Sequence, residues 1–345
     1  MLWRNSFCAA VALGLATAGT QAAAFESQTW RFGLEEIEGS VQYEYAAKFA
    51  ELMDEKSDGA ITVELYPYGQ LGGLTDIYDA AQSGAIQLAF GSGFLGGTVP
   101  ESQIFSLNFV LTDDEWTNTQ VLNSDEFLMN EDFQEAFRNR DLHPIAVVPE
   151  GWQVWTANQE IRTPDDMSGL AIRTMDNRLL RETYQAYGAD PVTVEYGELY
   201  SALQLGQAEG NIQPVFAHEE MAFYEVQDYM IFANHAQFIA TFMGNRDWWD
   251  GLSDEEREII HEARQELVEY IHDKQQELNT DRLDTIKENS DIEIIELSQD
   301  ERDAFAELAH PVRQTFVDMT GERGERMLDK LLNLVQEAQL EEEDE

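Results

Sequence analysis

The segment "GLAIRTMDNRLLRETYQAYGADPVTVEY" (169–196) contains the pattern that decides the fold. Within it, "AIRT" (171–174) predicts a short strand, "NRLLRETYQAYGA" (177–189) an amphipathic helix, and "DPVTVEY" (190–196) a second strand. A helix between two strands is typical of an α/β fold with a parallel sheet. Arg173 ends an apolar run, so its charge must be paired with an acid or face a cleft.

The same alternation of strands and helices extends along most of the chain. Before residue 150, the sequence predicts strands at 29–36, 60–67, 85–92 and 143–150, and helices at 40–59, 74–84 and 125–141. From residue 151 onwards, it predicts strands at 151–158 and 211–216 and a helix at 197–210. Two such sets, each with its own core, predict two α/β lobes and indicate a hinged binding protein.

One long charged helix is predicted at 253–289, because Ser253 and Glu256 have the spacing of a capping box. A helix of this length could bridge both lobes. We expect the first lobe to contain residues 25–150 plus about 236–275, and the second lobe residues 151–235 plus about 276–345.

The first 24 residues have the features of a signal peptide. Arg4 supplies the positive charge, a short apolar run follows, and small residues precede a cleavage site near Ala24. A retained membrane anchor is the alternative, but the apolar run is short for a bilayer. The only cysteine, Cys8, lies inside this segment. We therefore expect export of a mature chain that has no disulfide, no Cys-ligated zinc and no Cys nucleophile.

The composition excludes some classes of partner. The 345 residues include 21 Lys and Arg against 67 Asp and Glu, for a net charge of −46. The hydrophobic content of 43% nevertheless indicates a packed core rather than disorder. An acidic surface on an exported protein indicates a salt-rich exterior, where a Debye length of about 3 Å in molar salt screens the repulsion. A nucleic-acid partner is not expected, because no basic patch could neutralise phosphates.

The glycine-rich "GSGFLG" (91–96) raises the possibility of a dinucleotide site. Such a site would need a long helix opening on the third glycine, but "GTVPESQIF" (97–105) follows instead. We therefore predict a loop at the end of a strand, where clefts of α/β folds lie. Phe94 in this loop is a candidate to face the cleft.

Enzyme motifs have little support in this chain. There is no G-x-S-x-G or H-E-x-x-H motif, and the six histidines show no metal-binding spacing. We therefore expect no catalytic residues, no metal and no cofactor. An exported hydrolase or lyase using the same cleft remains the other function class.

Two features near the predicted lobe boundary leave alternatives open. The planar guanidinium of Arg173 could bind a ligand carboxylate with two hydrogen bonds, or pair with an acid such as Glu195. Trp152 and Trp155 lie on one predicted strand. We expect one of them to line the cleft and the other to belong to the core, with Trp152 as the candidate site residue.

The segment "MSGLAIRT…GNIQPV" (167–215) resembles the extracytoplasmic solute-binding subunits of TRAP transporters, the DctP-like family. "YGQLGG" (68–73), "SQIFSLNF" (102–109) and "FYEVQDYM" (223–230) resemble further positions of that family. The resemblance implies an α/β, two-lobed periplasmic binding protein fold. It also implies a periplasmic subunit that delivers a small organic carboxylate to membrane permease subunits. Arg173 matches the arginine that holds the ligand carboxylate in the family.

The likeness is closest to the ectoine-binding members, through "WRFGLEEIEG" (30–39) and "PEGWQVWTANQEI" (149–161). It implies that Glu36 meets the cationic side of the ligand and that aromatic walls come from Phe94, Tyr196 and Phe238. Two positions depart from those members.

The departures are Tyr196 in place of tryptophan and Gln213 in place of asparagine. Gln213 is expected to donate a further hydrogen bond to the ligand. The acidic chain would repel a dianion, so we expect a zwitterionic compatible solute rather than a C4-dicarboxylate or sugar acid.

Overall fold

A computed structural model describes residues 25–344, with side chains up to residue 341. The predicted signal peptide, including Arg4, Cys8 and the cleavage site near Ala24, lies outside the described residues. The strands of the described part are β1 (Gln28–Gly33), β2 (Ile61–Tyr66), β3 (Leu88–Gly91), β4 (Leu142–Ala157), β5 (Arg173–Thr174), β6 (Val192–Thr193), β7 (Gly210–Pro214), β8 (Tyr229–Phe232), β9 (Gln237–Asn245) and β10 (Glu293–Glu296).

Helices surround these strands. They are α1 (Val41–Lys56), α2 (Leu74–Gln82), α3 (Glu115–Asn123), α4 (Asp125–Leu128), α5 (Glu131–Arg138), α6 (Arg178–Ala186), α7 (Leu199–Gln204), α8 (Val215–Glu220), α9 (Arg246–Gly251), α10 (Asp254–Asn289), α11 (Gln299–Ala309) and α12 (Val312–Asp344). Serine side chains begin several of them, because a hydroxyl oxygen accepts from a free backbone N–H of the first turn. Ser40 caps α1 in this way, and Ser253 with Glu256 forms the predicted capping box of α10.

The main sheet is mixed, in the order β10-β8-β4-β9-β3-β1-β2, with β7 also paired to β4. Parallel pairing holds for β1 with β2 and β3, for β5 with β6, and for β8 with β10. The parallel sheet that the first strand–helix run predicted is confirmed for β1, β2 and β3, but the main sheet as a whole is mixed. The reason is that β4 and β9 run antiparallel to each other through the middle of the molecule.

Strand β4 joins what the sequence indicated as two strands. Its first part pairs with β9, and its second part, from Gln153, pairs with β7. The register shifts between Pro149 and Trp152, and Gly151 has a φ of +109° at this point. Glycine adopts such a backbone at little cost, so β4 bends without ending as it passes from one half of the molecule to the other.

Separate apolar cores support the two halves. One contains Phe32, Phe49 and Phe242, whose rings pack within 4.9–6.2 Å of one another between the sheet and α1. The other is centred on Trp155 and Tyr184. Helix α10 contacts α1 in the first half and α8 in the second, so it bridges them as predicted.

The boundaries of the two lobes stay a prediction, but the packing of α12 bears on them. The sequence assigned the C-terminal region to the second lobe. In the structure, Phe316 and Leu331 of α12 share a core with Phe105 and Phe133 from before residue 150. Helix α12 also contacts α6, which follows residue 150. The C-terminal helix therefore packs against both halves of the molecule.

Candidate ligand-binding site

One cavity lies where strand ends from both halves meet. It has about 310 Å³ of empty space, and its walls are formed by Glu35, Glu36, Leu74, Ser92, Phe94, Tyr196, Gln213, Ala217 and Phe238. Glu36 follows β1, Phe94 follows β3 and Tyr196 follows β6. The carboxyl ends of strands are the usual position of ligand clefts in α/β folds. Five of the predicted site residues therefore lie together, namely Glu36, Phe94, Tyr196, Gln213 and Phe238.

Arg173 lies beside this cavity and is fully buried. Its Nε donates to the carbonyl oxygen of Val194 at 3.1 Å, and its Cζ lies 5.7 Å from the centroid of the Phe94 ring. The two Nη atoms are buried and have no hydrogen-bond partner in the described part of the chain. Burial lowers the pKa of Arg173 to about 10, which leaves it charged at neutral pH.

The alternative of an internal partner for Arg173 is not what the structure shows. The charge of Glu195 acts on Arg173 from a distance, but no ion pair joins the two side chains. Among residues 25–341, no carboxylate lies within ion-pair distance of the guanidinium. A buried charge without a partner is costly, which makes Arg173 the candidate residue for binding an anionic group of a ligand.

Buried carboxyl groups occupy the other side of the cavity. Glu36 is 8% exposed, and its Oε2 accepts from the backbone N–H of Gln42 at 3.3 Å. The carboxyl group of Glu150, which is fully buried, lies near it, since the side chain of the same Gln42 donates to Oε1 of Glu150 at 3.2 Å. Burial is the largest cause that raises the pKa of Glu36 to about 7, and burial also raises the pKa of Glu150 well above its ordinary value. Packing these carboxyl groups together without a cation therefore favours the protonated form of at least one of them.

Two further acids adjoin this pair. Glu35 accepts a hydrogen bond from the hydroxyl of Tyr78, yet burial raises its pKa. Burial also raises the pKa of Glu220, in α8, to about 8, with a smaller contribution from the charge of Glu36. The cavity thus has acids on one side and an unpaired arginine beside it.

Aromatic rings form the remaining walls. Tyr196 packs edge-on against Tyr68 and Phe223, with ring centroids 6.0 and 6.1 Å apart. Phe238 is only 6% exposed, and Phe94 packs against the cores of both halves. Such rings hold their positions, and their faces suit a cationic or delocalised group.

One of the two tryptophans belongs to a core, as expected, but the other does not line the cavity. Trp155 belongs to the core, where its Nε1 donates to the hydroxyl of Tyr184 at 2.8 Å. Trp152 is not in the cavity wall and instead lines a separate groove with Glu115, Gln275 and other residues beside α10. The bend in β4 before Trp152 explains the difference, because it changes which face the following side chains occupy.

Glu150 is the residue that sequence reasoning missed. The signal was present, since Glu150 ends the apolar stretch "HPIAVVPE" (143–150) as Arg173 ends its own. The pattern could not show that Glu150 lies near Glu36 in the folded protein. Glu36 lies more than 100 residues away in the sequence.

Metal chemistry and membrane spanning find no support in the described residues. Between residues 25 and 344, no cluster of three or more His, Cys, Asp or Glu side chains could hold a metal ion. No helix in the same range is long and apolar enough to cross a membrane.

Two lobes bridged by a long helix, with a charged cavity between them, define a two-lobed solute-binding protein. The chain matches DctP, the bacterial extracellular solute-binding protein family 7, over residues 32–319, and it belongs to this family. The predicted resemblance and the two-lobed periplasmic binding protein fold are both confirmed.

Known relatives agree with this assignment. The ectoine-binding periplasmic protein TeaA of Halomonas elongata is 34% identical over 320 residues, covering 92% of this chain and 93% of TeaA. The C4-dicarboxylate-binding periplasmic protein DctP of Rhodobacter capsulatus is 30% identical, covering 80% of this chain and 82% of that protein. The apo open structure of a TRAP periplasmic solute-binding protein from Marinobacter aquaeolei VT8 has a TM-score of 0.84 at 42% identity. It covers 88% of this chain and 100% of that structure.

Proposed function

We propose that this protein is the periplasmic substrate-binding subunit of a TRAP transporter and that it captures a small zwitterionic organic carboxylate of the ectoine type. It would deliver this solute to membrane permease subunits for uptake. The observation that carries the proposal is Arg173, whose buried guanidinium keeps two Nη atoms without a partner in the described residues. A ligand carboxylate could accept from both Nη atoms at once.

The acids opposite support a zwitterion over a dicarboxylate. Glu35 and Glu36 line the cavity, and Glu150 and Glu220 lie close to Glu36. A second ligand carboxylate would be placed against these groups, whereas an amino or amidinium group could donate to Glu36. The net charge of −46 acts in the same direction, because a zwitterion has no net charge to repel.

The remaining wall residues would determine fit. Phe94, Tyr196 and Phe238 would enclose the apolar and cationic parts of the solute, and Gln213 would donate a further hydrogen bond. The two lobes would close over the solute by bending at α10 and at the points where the chain passes from one lobe to the other. Trp152 is not part of the proposed contact set, because it lines another groove.

Export to the periplasm is proposed from two sources. Residues 1–24 have the pattern of a signal peptide, with cleavage near Ala24. The relatives in Halomonas elongata and Rhodobacter capsulatus are named periplasmic proteins.

A ligand screen tests the proposal. Purified protein would be heated with ectoine, succinate and galactonate in turn, and each solute that raises the Tm would be titrated by calorimetry. We expect ectoine to bind more tightly than the other two. Preferential binding of succinate or galactonate would assign the site to a C4-dicarboxylate or a sugar acid. Turnover of any solute, followed by product analysis, would instead indicate an exported enzyme using the same cleft.

A further inference from the structure

We propose that Glu150, which does not line the cavity, is a positioning residue that acts as a neutral carboxylic acid. It donates its proton to the carboxylate of Glu36 and so presents Glu36 to the cavity as a single negative charge. This inference rests on the proposed function in that a cationic ligand group would meet Glu36. The proton-sharing pair itself is a property of the ligand-free protein.

The hydrogen bonds around Glu150 leave one of its carboxyl oxygens, Oε2, to share a proton with Glu36. Glu150 is fully buried, and its Oε1 accepts from Nε2 of Gln42 at 3.2 Å. Its Oε2 receives no hydrogen bond from an N–H or hydroxyl group in the described part of the chain. Gln42 brings Glu36 next to Glu150, because its backbone N–H donates to Oε2 of Glu36 at 3.3 Å while its side chain donates to Glu150. Two buried carboxyl groups held around one glutamine, with no Lys or Arg paired to either among the described residues, favour a state in which one of them keeps its proton.

The geometry also indicates which acid carries the charge. Glu36 accepts from the backbone N–H of Gln42, in the first turn of α1, where the helix dipole favours an anion. Glu36 is also in the cavity wall, whereas Glu150 is enclosed by protein. The charge is therefore better placed on Glu36 and the proton on Glu150.

The fold holds Glu150 at the crossing between the lobes. Its carbonyl oxygen accepts from Nδ2 of Asn279, in α10, at 2.9 Å. Gly151, with a φ of +109°, follows immediately and forms the bend of β4. These backbone contacts are independent of the side-chain carboxyl group, so the side chain can be changed without removing them.

The other ionisable groups around the pair do not neutralise it. In the described part of the chain, three ionisable groups surround the pair, and each is influenced by a neighbour of its own. They are Glu35 next to Tyr78, Glu220 near Arg282, and Tyr196 near Arg173. No Lys or Arg forms an ion pair with Glu36 or Glu150 among residues 25–341. The directions of the pKa shifts agree, since the pKa of Glu150 lies well above its ordinary value and that of Glu36 is about 7.

A consequence for binding follows. A cationic ligand group needs Glu36 ionised, so the affinity for ectoine should fall below pH 7, approaching about tenfold per pH unit. Removing the donor at position 150 would move this fall to higher pH. A ligand without a cationic group would show neither effect.

The test compares Glu150→Gln with Glu150→Leu. Glutamine keeps a neutral donor towards Glu36 and an acceptor for Gln42, whereas leucine removes both. We expect E150Q to bind ectoine within about threefold of the parent at pH 7.5, and E150L to bind about tenfold more weakly. Tenfold weaker binding by E150Q would overturn the proposal, because it would mean that Glu150 acts as an anion.

Infrared spectroscopy of the ligand-free protein provides a second measurement that does not depend on E150L folding. At pH 7.5 the difference spectrum of the parent minus E150Q should show the carbonyl stretch of one protonated carboxylic acid, because other acids with a raised pKa, such as Glu220, contribute equally to both proteins. The matched control is Glu101→Gln, at a buried acid that pairs with Arg323 at 3.3 Å, which should leave this band in place. A difference spectrum without the band would overturn the proton-sharing pair. The band together with no ectoine binding would overturn the proposed ligand alone.

Discussion

The two charged sides of the cavity bury their charges in different ways. Among the described residues, Arg173 has no anionic partner, yet its pKa of about 10 keeps it charged. Glu36 and Glu150 have no cationic partner in the same part of the chain, and burial raises the pKa of both carboxyl groups instead. A guanidinium cannot give up its proton near neutral pH, whereas a carboxyl group can gain one. The arginine side is therefore a fixed positive site, and the acidic side is one that pH can change.

The largest expected effect comes from removing the fixed charge. Arg173→Ala should weaken binding by about 2–5 kcal/mol, because the ligand carboxylate would lose its buried partner. Calorimetry with ectoine would then show more than a tenfold loss of affinity. Arg178→Ala is the matched control, since Arg178 is exposed and pairs with Glu182 on α6. Equal affinities of R173A and R178A would remove the basis of the proposed function.

The acidic side should make stability depend on pH. The pKa of Glu36 is about 7 in the folded protein against an ordinary value of 4.5. Between these values the folded protein holds a proton that the unfolded chain has released, so the contribution of Glu36 to the free energy of unfolding falls as the pH rises. Relative to the parent, Glu36→Gln should gain about 2 kcal/mol between pH 5 and pH 8 in urea unfolding. A constant difference across this range would show that Glu36 is ionised throughout.

The same substitution should separate two classes of ligand. Glu36→Gln should weaken ectoine binding by about 1–2 kcal/mol, because a charged acceptor is replaced by a neutral one. Binding of a carboxylate that has no cationic group should be almost unchanged. Titration calorimetry of both ligands against E36Q and the parent measures the difference. Equal losses for the two ligands would mean that Glu36 maintains the shape of the cavity rather than binding a cation.

The smallest effect is expected from the aromatic wall. Tyr196→Trp should change the affinity for ectoine by about 0.5–1 kcal/mol in the favourable direction, since the tryptophan face attracts cations best. Tyr196→Phe keeps the ring and serves as its control. A loss of affinity on introducing tryptophan would indicate that the packing of Tyr196 on Tyr68 and Phe223 leaves no room for a larger ring.

Local patterns in the sequence predicted much of the fold. The start of α10 at Ser253, the helix over Arg178–Ala186 and the strand over Ile61–Tyr66 all follow from the spacing of apolar residues and from capping groups. These features depend on neighbours within a few residues. The mixed sheet did not follow, because the pairing of β4 with β9 joins residues that are about 90 positions apart.

The candidate site also contains some features that the sequence indicated and others that it could not. The sequence indicated that Arg173 and Glu36 belong near a cleft, through a charge at the end of an apolar run and through family resemblance. It could not place Trp152, whose direction depends on the bend at Gly151. The strand periodicity of two residues fails wherever such a bend occurs.

By itself, the sequence determined the α/β class, the long bridging helix and the family, because hydrophobic periodicity and short motifs are local properties. Only the tertiary structure decided that Arg173 has no anionic partner among the described residues and that Glu36 and Glu150 both lie against Gln42. Whether a buried group is charged depends on every polar atom within a few ångströms. Those atoms come from strands and helices that only folding brings together.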